Sequence, residues 1–381
     1  MNRPDILDRA TLQTIELYRL LDTEIFVEIA RLLSTSGISS VEQWHMEALA
    51  KANMLDERVA DMLANVTGQA HSEINAMFDN AMNEMISQVD SELAPLFGNV
   101  AKTNTSSALM HAFRDQSFLD IDNFVSQTLI NTQFGPGVVT QMFQTIINQT
   151  TANFINGNMT LNQSIENTIL SWSRRGVPTV FIDRGGNTWS LERYVDMVLR
   201  SNLNRTYNEV RMARMRDYGV HTALVSSLMD SAPRCRGIQG QVIDTRPVAQ
   251  ADSGFPSLYS FGYPAPDAPF GINCRHSKFP FIPGINENNQ PHFNDSDVIE
   301  RNKQTVRQRE LENRIRQTKK EIIILEELNS NSPRLPRAKN RLDRHQGEIG
   351  RLINNADHLS RNPGREKVMT PRADLIRDAQ N

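Results

Sequence analysis

Apolar residues recur at helical spacing from the start of the chain, at Ile6, Leu7, Ala10, Leu12, Ile15, Leu17, Leu20, Leu21, Ile25, Ile29 and Leu32. That period builds one face of an α-helix. Gly37, in LSTSGISS, is placed to end it, and SSVEQ opens a second helix with serine ahead of glutamate. Residues 41–97 predict two long amphipathic helices, rich in Ala, Met and Glu, closed by Pro95 and Gly98. Further helices are predicted over 104–131 and, after the break at Gly135–Pro136–Gly137, over VVTQMFQTIINQTTANFING. Residues 123–168 are heavy in Asn, Gln and Thr. Helices of that composition bury little apolar surface alone and gain stability from a larger partner.

The period changes after residue 165. A short helix ends at Arg174–Arg175–Gly176, and Val177–Asp183 reads as a strand. Arg184–Gly185–Gly186–Asn187 is a turn, and Thr188–Trp189 returns as a second strand. Ser190 caps a long helix to about Tyr218, with Tyr194, Met197, Val198, Asn202, Arg205 and Tyr207 on or beside one face. Val220–Leu228 has strand character. Gly and Pro then make up about a quarter of residues 231–291, which excludes long helices there. Beyond Asp297 a helical seam runs through Leu311, Ile315, Thr318, Ile322 and Leu325. After Pro333 and Pro336 another runs through Leu335, Ala338, Leu342, His345, Ile349, Leu352, Ala356 and Leu359. Two such seams joined by a short turn predict an antiparallel hairpin. The chain therefore reads as α+β and predominantly α-helical. A helical N-terminal region spans 1–164, a small loop-rich α+β core 165–296, and a basic helical hairpin with a loosely ordered tail 297–381.

Composition changes this picture in three places. No run of eighteen apolar residues occurs in the 381, so no transmembrane helix is expected, and the N-terminus lacks a secretory pattern. Two cysteines do not make a disulfide framework, and a reducing compartment is the default. The net charge of −3 hides an asymmetry: residues 301–381 carry 19 Lys and Arg against 11 Asp and Glu. That basic end offers Arg307, Arg309, Arg314, Arg316, Lys319, Lys320, Arg337, Lys339, Arg341 and Arg344 to DNA phosphates, without sequence preference. The interspersed glutamates favour the other reading, a solvated face that pairs helix to helix.

Candidate chemistry concentrates at Cys235, Cys274 and His276. Three such side chains are ligands for zinc, with His221 or Asp230 as a fourth. Only Cys274 and His276 are close in sequence, however, and buried free thiols are the favoured reading ahead of zinc or a late-formed disulfide. A cysteine nucleophile activated by Arg234 and Arg236 lacks an orienting third group. Asp230, Arg234 and Arg275 suit ion pairs that pin loops, and Gly240 and Asn273 suit turns. Gly185–Gly186 lacks the Lys-Ser/Thr of a phosphate loop. The aromatic residues among the prolines of 255–281 suit packing better than base stacking.

The ordered set GVPTVFIDRGGNTWSLERYVDMVLRS, MDSAPRCRGIQGQVI, FGINCRHSKFPFIPG and the helical stretch ending REKV resembles the phage minor capsid protein 2 family of tailed bacteriophages. The likeness covers residues 165–368 and is strongest over 229–284. A more distant likeness is to the Mu-F-like head-morphogenesis domain, whose four-cysteine pattern is incomplete here: Gly237–Ile238 follow Arg236, and His276 stands in place of the last cysteine. The resemblance implies a non-enzymatic virion component, made in the host cytoplasm and lodged in the head near the portal vertex. Its implied partners are portal protein and other head proteins, and its implied work is head assembly or handling of the DNA end.

Overall fold

The computed structural model describes residues 3–34, 40–132, 135–157, 159–183 and 185–369. The predicted helix stop at Gly37, Arg184 of the hairpin turn and the end of the tail lie outside them. In chain order come α1 (Arg3–Leu32), α2 (Val41–Ala50), α3 (Ala52–Phe97) and α4 (Thr105–Ile121). After a π-helical turn at Asp122–Ser126 follow α5 (Gln127–Ile130), β1 (Asn131–Thr132), β2 (Gly135–Pro136), α6 (Val138–Ile155) and α7 (Leu161–Arg175). The remainder is β3 (Pro178–Ile182), β4 (Thr188–Ser190), α8 (Leu191–Asp217), β5 (Thr222–Val225), β6 (Val242–Asp244), β7 (Lys278–Pro280), α9 (Asp295–Leu328) and α10 (Arg334–Asn354). The fold is α+β and predominantly helical. Among the described residues no helix is long and apolar enough to cross a membrane.

Local signals set the ends of these elements. Ser40 accepts the Gln43 N–H at 3.2 Å and caps α2. Thr160 and Gln163 form a reciprocal capping box on α7, and Gly176 ends that helix with φ +79°. In the β3–β4 hairpin Asp183 Oδ1 accepts the Gly185 and Asn187 N–H groups, each at 2.9 Å, so the Gly-Gly stretch is a turn.

The chain packs as two units that draw on separate stretches of sequence. The first comprises residues 1–12, 72–119 and 196–306. Its centre is the antiparallel sheet β6-β5-β7, in which β5 is buried at every position. Ala223, Val225, Ile238, Ile243, Leu258 and Phe270 pack there with Val89 and Leu93 of α3 and Met212 and Met215 of α8.

The second unit comprises residues 13–71, 120–195 and 307–381. Sequence alone assigned the polar helices of 123–168 to a partner's surface, but α6 and α7 bury Val139, Met142, Phe143, Ile146, Ile147, Ile165, Ile169 and Leu170 within this unit. Their polar residues bond one another: Trp172 Nε1 donates to Gln149 Oε1 at 2.9 Å, and Asn153 to Thr168 at 3.3 Å. The part of α9 in this unit lies antiparallel to α10, with Leu311 and Ile315 against Ile349. Ion pairs Arg307–Glu348, Arg341–Glu321 and Lys339–Glu326 flank that seam.

Candidate functional site

Strand register brings the cysteines together. Leu224 of β5 faces Val242, the first residue of β6, and Val225 faces Lys278, the first residue of β7. The segments leading into both outer strands therefore meet beyond the C-terminal end of β5. One carries Cys235 on a 3-10 turn, Pro233–Cys235; the other carries Cys274 and His276. Cys235 Sγ lies 3.8 Å from Cys274 Sγ, which lies 3.6 Å from His276 Nδ1. On its other side His276 Nε2 is 3.4 Å from both Ser231 Oγ and Gln239 Oε1. All three side chains are buried, and the void beside them measures about 20 Å³. That admits one water or ion and no substrate.

The two sulfurs are within hydrogen-bond reach of each other. A hydrogen bond from Cys235 holds the Cys274 thiol well below the usual thiol range; burial opposes, and His276 helps. The same contact, with burial, pushes the Cys235 thiol up.

The surrounding motif residues fix backbone. Arg275 pairs with Asp230 at 2.7 Å, and Asp230 also accepts from Thr305 at 3.0 Å and, through its carbonyl, from Asn302 at 2.8 Å. Arg234 stands apart from that pair: it is exposed and donates to the Ile272 carbonyl. Gly240 takes φ +71°, and a β-carbon there would lie 2.7 Å from Ser227 Oγ. Asn273 has φ +58° and gives its N–H to Ser201 Oγ at 3.1 Å. His221 and Asp230, the proposed fourth ligands, stand outside the cluster of Cys235, Cys274 and His276.

Sequence reasoning missed the ladder on α8 that holds this segment. Ser201 accepts from Asn273, Asn204 donates to the Cys274 carbonyl at 2.7 Å, and Asn208 donates to the His276 carbonyl at 3.1 Å. Asn208 Oδ1 also accepts the Lys278 N–H at 3.0 Å, and Arg211 donates to the Lys278 carbonyl at 3.0 Å. The signal was present as polar residues spaced 3-4-3 along one helix face. Helix and strand rise by about 5–7 Å per such step, so each turn of α8 meets every second residue or so of the extended segment.

The basic residues of α9 and α10 divide into two groups. Arg316 pairs with Glu192 at 2.7 Å, Lys320 with Asp22 at 2.6 Å and Arg309 with Glu312 at 3.9 Å. Arg307, Lys339 and Arg341 hold Glu348, Glu326 and Glu321, and Lys319 donates to the Glu366 carbonyl at 2.9 Å. Burial raises the Glu192 carboxyl, but Arg316 and Arg19 outweigh it and keep the group below the usual carboxylate range. Arg314, Arg337 and Arg344 are exposed. A cleft of about 490 Å³ in the second unit is lined by Arg175, Arg193, Arg316 and Lys320 with Trp172 and Trp189. Arg193 lies over the Trp189 ring at 5.2 Å.

Comparison with known proteins agrees with this architecture being one family's. The sequence model of the family described as phage minor capsid protein 2 matches residues 3–354. A structural protein of Lactococcus phage LL-H is 28% identical over 336 residues, which cover 87% of this chain and 90% of that protein. A structural protein of Lactococcus phage mv4 is 28% identical over 114 residues, 30% of this chain and 92% of that protein. No solved structure matches the chain. With the match running from α1 to the end of α10, this chain belongs to the phage minor capsid protein 2 family.

Proposed function

We propose that the protein is a structural, non-enzymatic component of the phage head, seated near the portal vertex against portal protein and other head proteins, with packaged DNA beside it. The family match across residues 3–354 carries this reading. The relatives' description as structural proteins supports it. The thiol–imidazole cluster supports a non-enzymatic role, because its void of about 20 Å³ leaves no room for a substrate. Co-expression with portal protein should yield a complex that survives size-exclusion chromatography, and mass spectrometry of purified virions should find this chain in few copies. Virions that form and infect normally without the gene would end the proposal.

The DNA contact is assigned to Arg314, Arg337 and Arg344, because they are exposed while their neighbours are committed to ion pairs. Removing 301–381 is a poor test, since it deletes Leu311, Ile315 and Ile349 from the second unit's core. Changing the three arginines to glutamine leaves that core intact. It should weaken duplex binding and flatten the dependence of log affinity on log salt by about 0.9 for each arginine that meets a phosphate. An unchanged slope in filter binding would remove DNA from the proposal.

A further inference from the structure

We propose that Cys235 Sγ, Cys274 Sγ and His276 Nδ1 form a zinc-binding site, with water in the fourth position. Zinc–sulfur bonds of about 2.3 Å and zinc–nitrogen bonds of about 2.05 Å set the edges of a tetrahedron at about 3.8 Å between sulfurs and about 3.6 Å between sulfur and nitrogen. The protein holds Cys235 and Cys274 at 3.8 Å and Cys274 and His276 at 3.6 Å. The ligand atoms of all three lie within 4.8 Å of one another. The adjoining void of about 20 Å³, whose lining includes Leu228, Ser231, Arg234 and Arg275 beside the ligands themselves, has the size of a single water, and the two thiolates offset the positive charge of the arginines.

The imidazole is oriented for the task. Gln239 Oε1, 3.4 Å from Nε2, can accept a proton carried there, and the tautomer it suits is the one that would turn the Nδ1 lone pair toward a metal beside Cys274. An outer partner on the remote ring nitrogen is the usual companion of a metal-bound histidine. The α8 ladder holds the carbonyls of both Cys274 and His276, so the ligands are positioned by a helix. Two thiolates and one imidazole, with the two edges at Cys274 already at tetrahedral spacing, select zinc over magnesium or calcium. Bound zinc would tie together two loops 39 residues apart in a module built from short strands, and thiol protons would pass to solvent on binding.

The test is metal analysis of the full chain, purified under reducing conditions without chelator or histidine tag. One equivalent of zinc is expected. Chelator-treated protein titrated with cobalt(II) should develop thiolate-to-cobalt charge transfer and the intense visible bands of a tetrahedral centre, saturating at one equivalent. His276→Gln should weaken zinc binding at least tenfold. Gln239→Leu, which keeps all three ligands, should weaken it by about 10–100-fold. Since Cys274→Ser could fail to fold, the cobalt spectrum of the unaltered chain is the decisive measurement. Two reduced thiols with no metal and no cobalt bands, a disulfide in the purified protein, or a tetrahedral spectrum indifferent to His276→Gln would each overturn the site.

Discussion

Arg214→Ala should lower the stability of the protein by about 3 kcal/mol, the cost of stranding partners around a buried charge. The guanidinium is only 2% exposed and donates to Asp90 at 2.6 Å and Asp217 at 3.0 Å. It also donates to the carbonyls of Val100 at 2.8 Å and Ala101 at 3.2 Å. Asp217 in turn accepts the Thr103 hydroxyl at 2.8 Å, so one arginine anchors the 100–103 segment from several sides. Truncation leaves two carboxylates and two carbonyls short of a donor. Asp90 keeps partial contact with water, which places the expected cost at the lower end of the range for buried pairs. Arg214→Lys keeps the charge but loses the planar fork, and should recover only part of the loss. Urea denaturation of the three proteins gives the measurement. A loss below about 1 kcal/mol for the alanine variant is what a surface pair would show, and would mean that Arg214 is not the anchor described.

Helices were legible where apolar residues kept the helical period, and the β3–β4 hairpin was legible in its Asp-Arg-Gly-Gly-Asn turn. The seam of the terminal hairpin was legible as well: Leu311, Ile315 and Ile349 form its buried cluster. Buried charge was not legible. Along α9 the residues Gln308, Glu312, Lys320 and Glu321 are buried, though their spacing reads as a solvated face. The partner that makes this tolerable for Lys320 is Asp22, 298 residues away in sequence, and no local pattern announces such a pair. Arg211 and Arg214 of α8 were hidden for the same reason. At the cysteine site, the motif order was plain, but the meeting of Cys235 with Cys274 depends on β5 pairing with both β6 and β7, a non-local choice. Asp230 with Arg275 is a contact of the kind the turn-rich context suggests, whereas the exposed position of Arg234 follows from the orientation of the 3-10 turn, which spacing does not encode.

Gly271→Ala is expected to be as damaging as the loss of Arg214, and for a reason independent of charge. A β-carbon on residue 271 would lie 2.2 Å from the Pro266 carbonyl oxygen, 2.6 Å from its carbon and 2.9 Å from the Ala265 oxygen. These are backbone atoms, and no rotamer change relieves the overlap. The same oxygen of Pro266 accepts the Ile272 N–H at 2.8 Å, so moving it breaks the bond that closes the loop. Downstream, Cys274 donates its N–H to the Gly271 carbonyl at 3.1 Å, and the displacement is passed to the cysteine. Overpacking of well-filled sites costs about 1–3 kcal/mol, and a clash with fixed backbone belongs at the top of that range. Two readouts should move together. The denaturation midpoint should fall, and Cys274, buried in the parent, should become reactive toward a thiol reagent under native conditions. A variant with lowered stability but unreactive thiols would place the strain elsewhere than in the turn that carries Cys274. One with the parent's midpoint would refute the close approach of residue 271 to the Pro266 backbone.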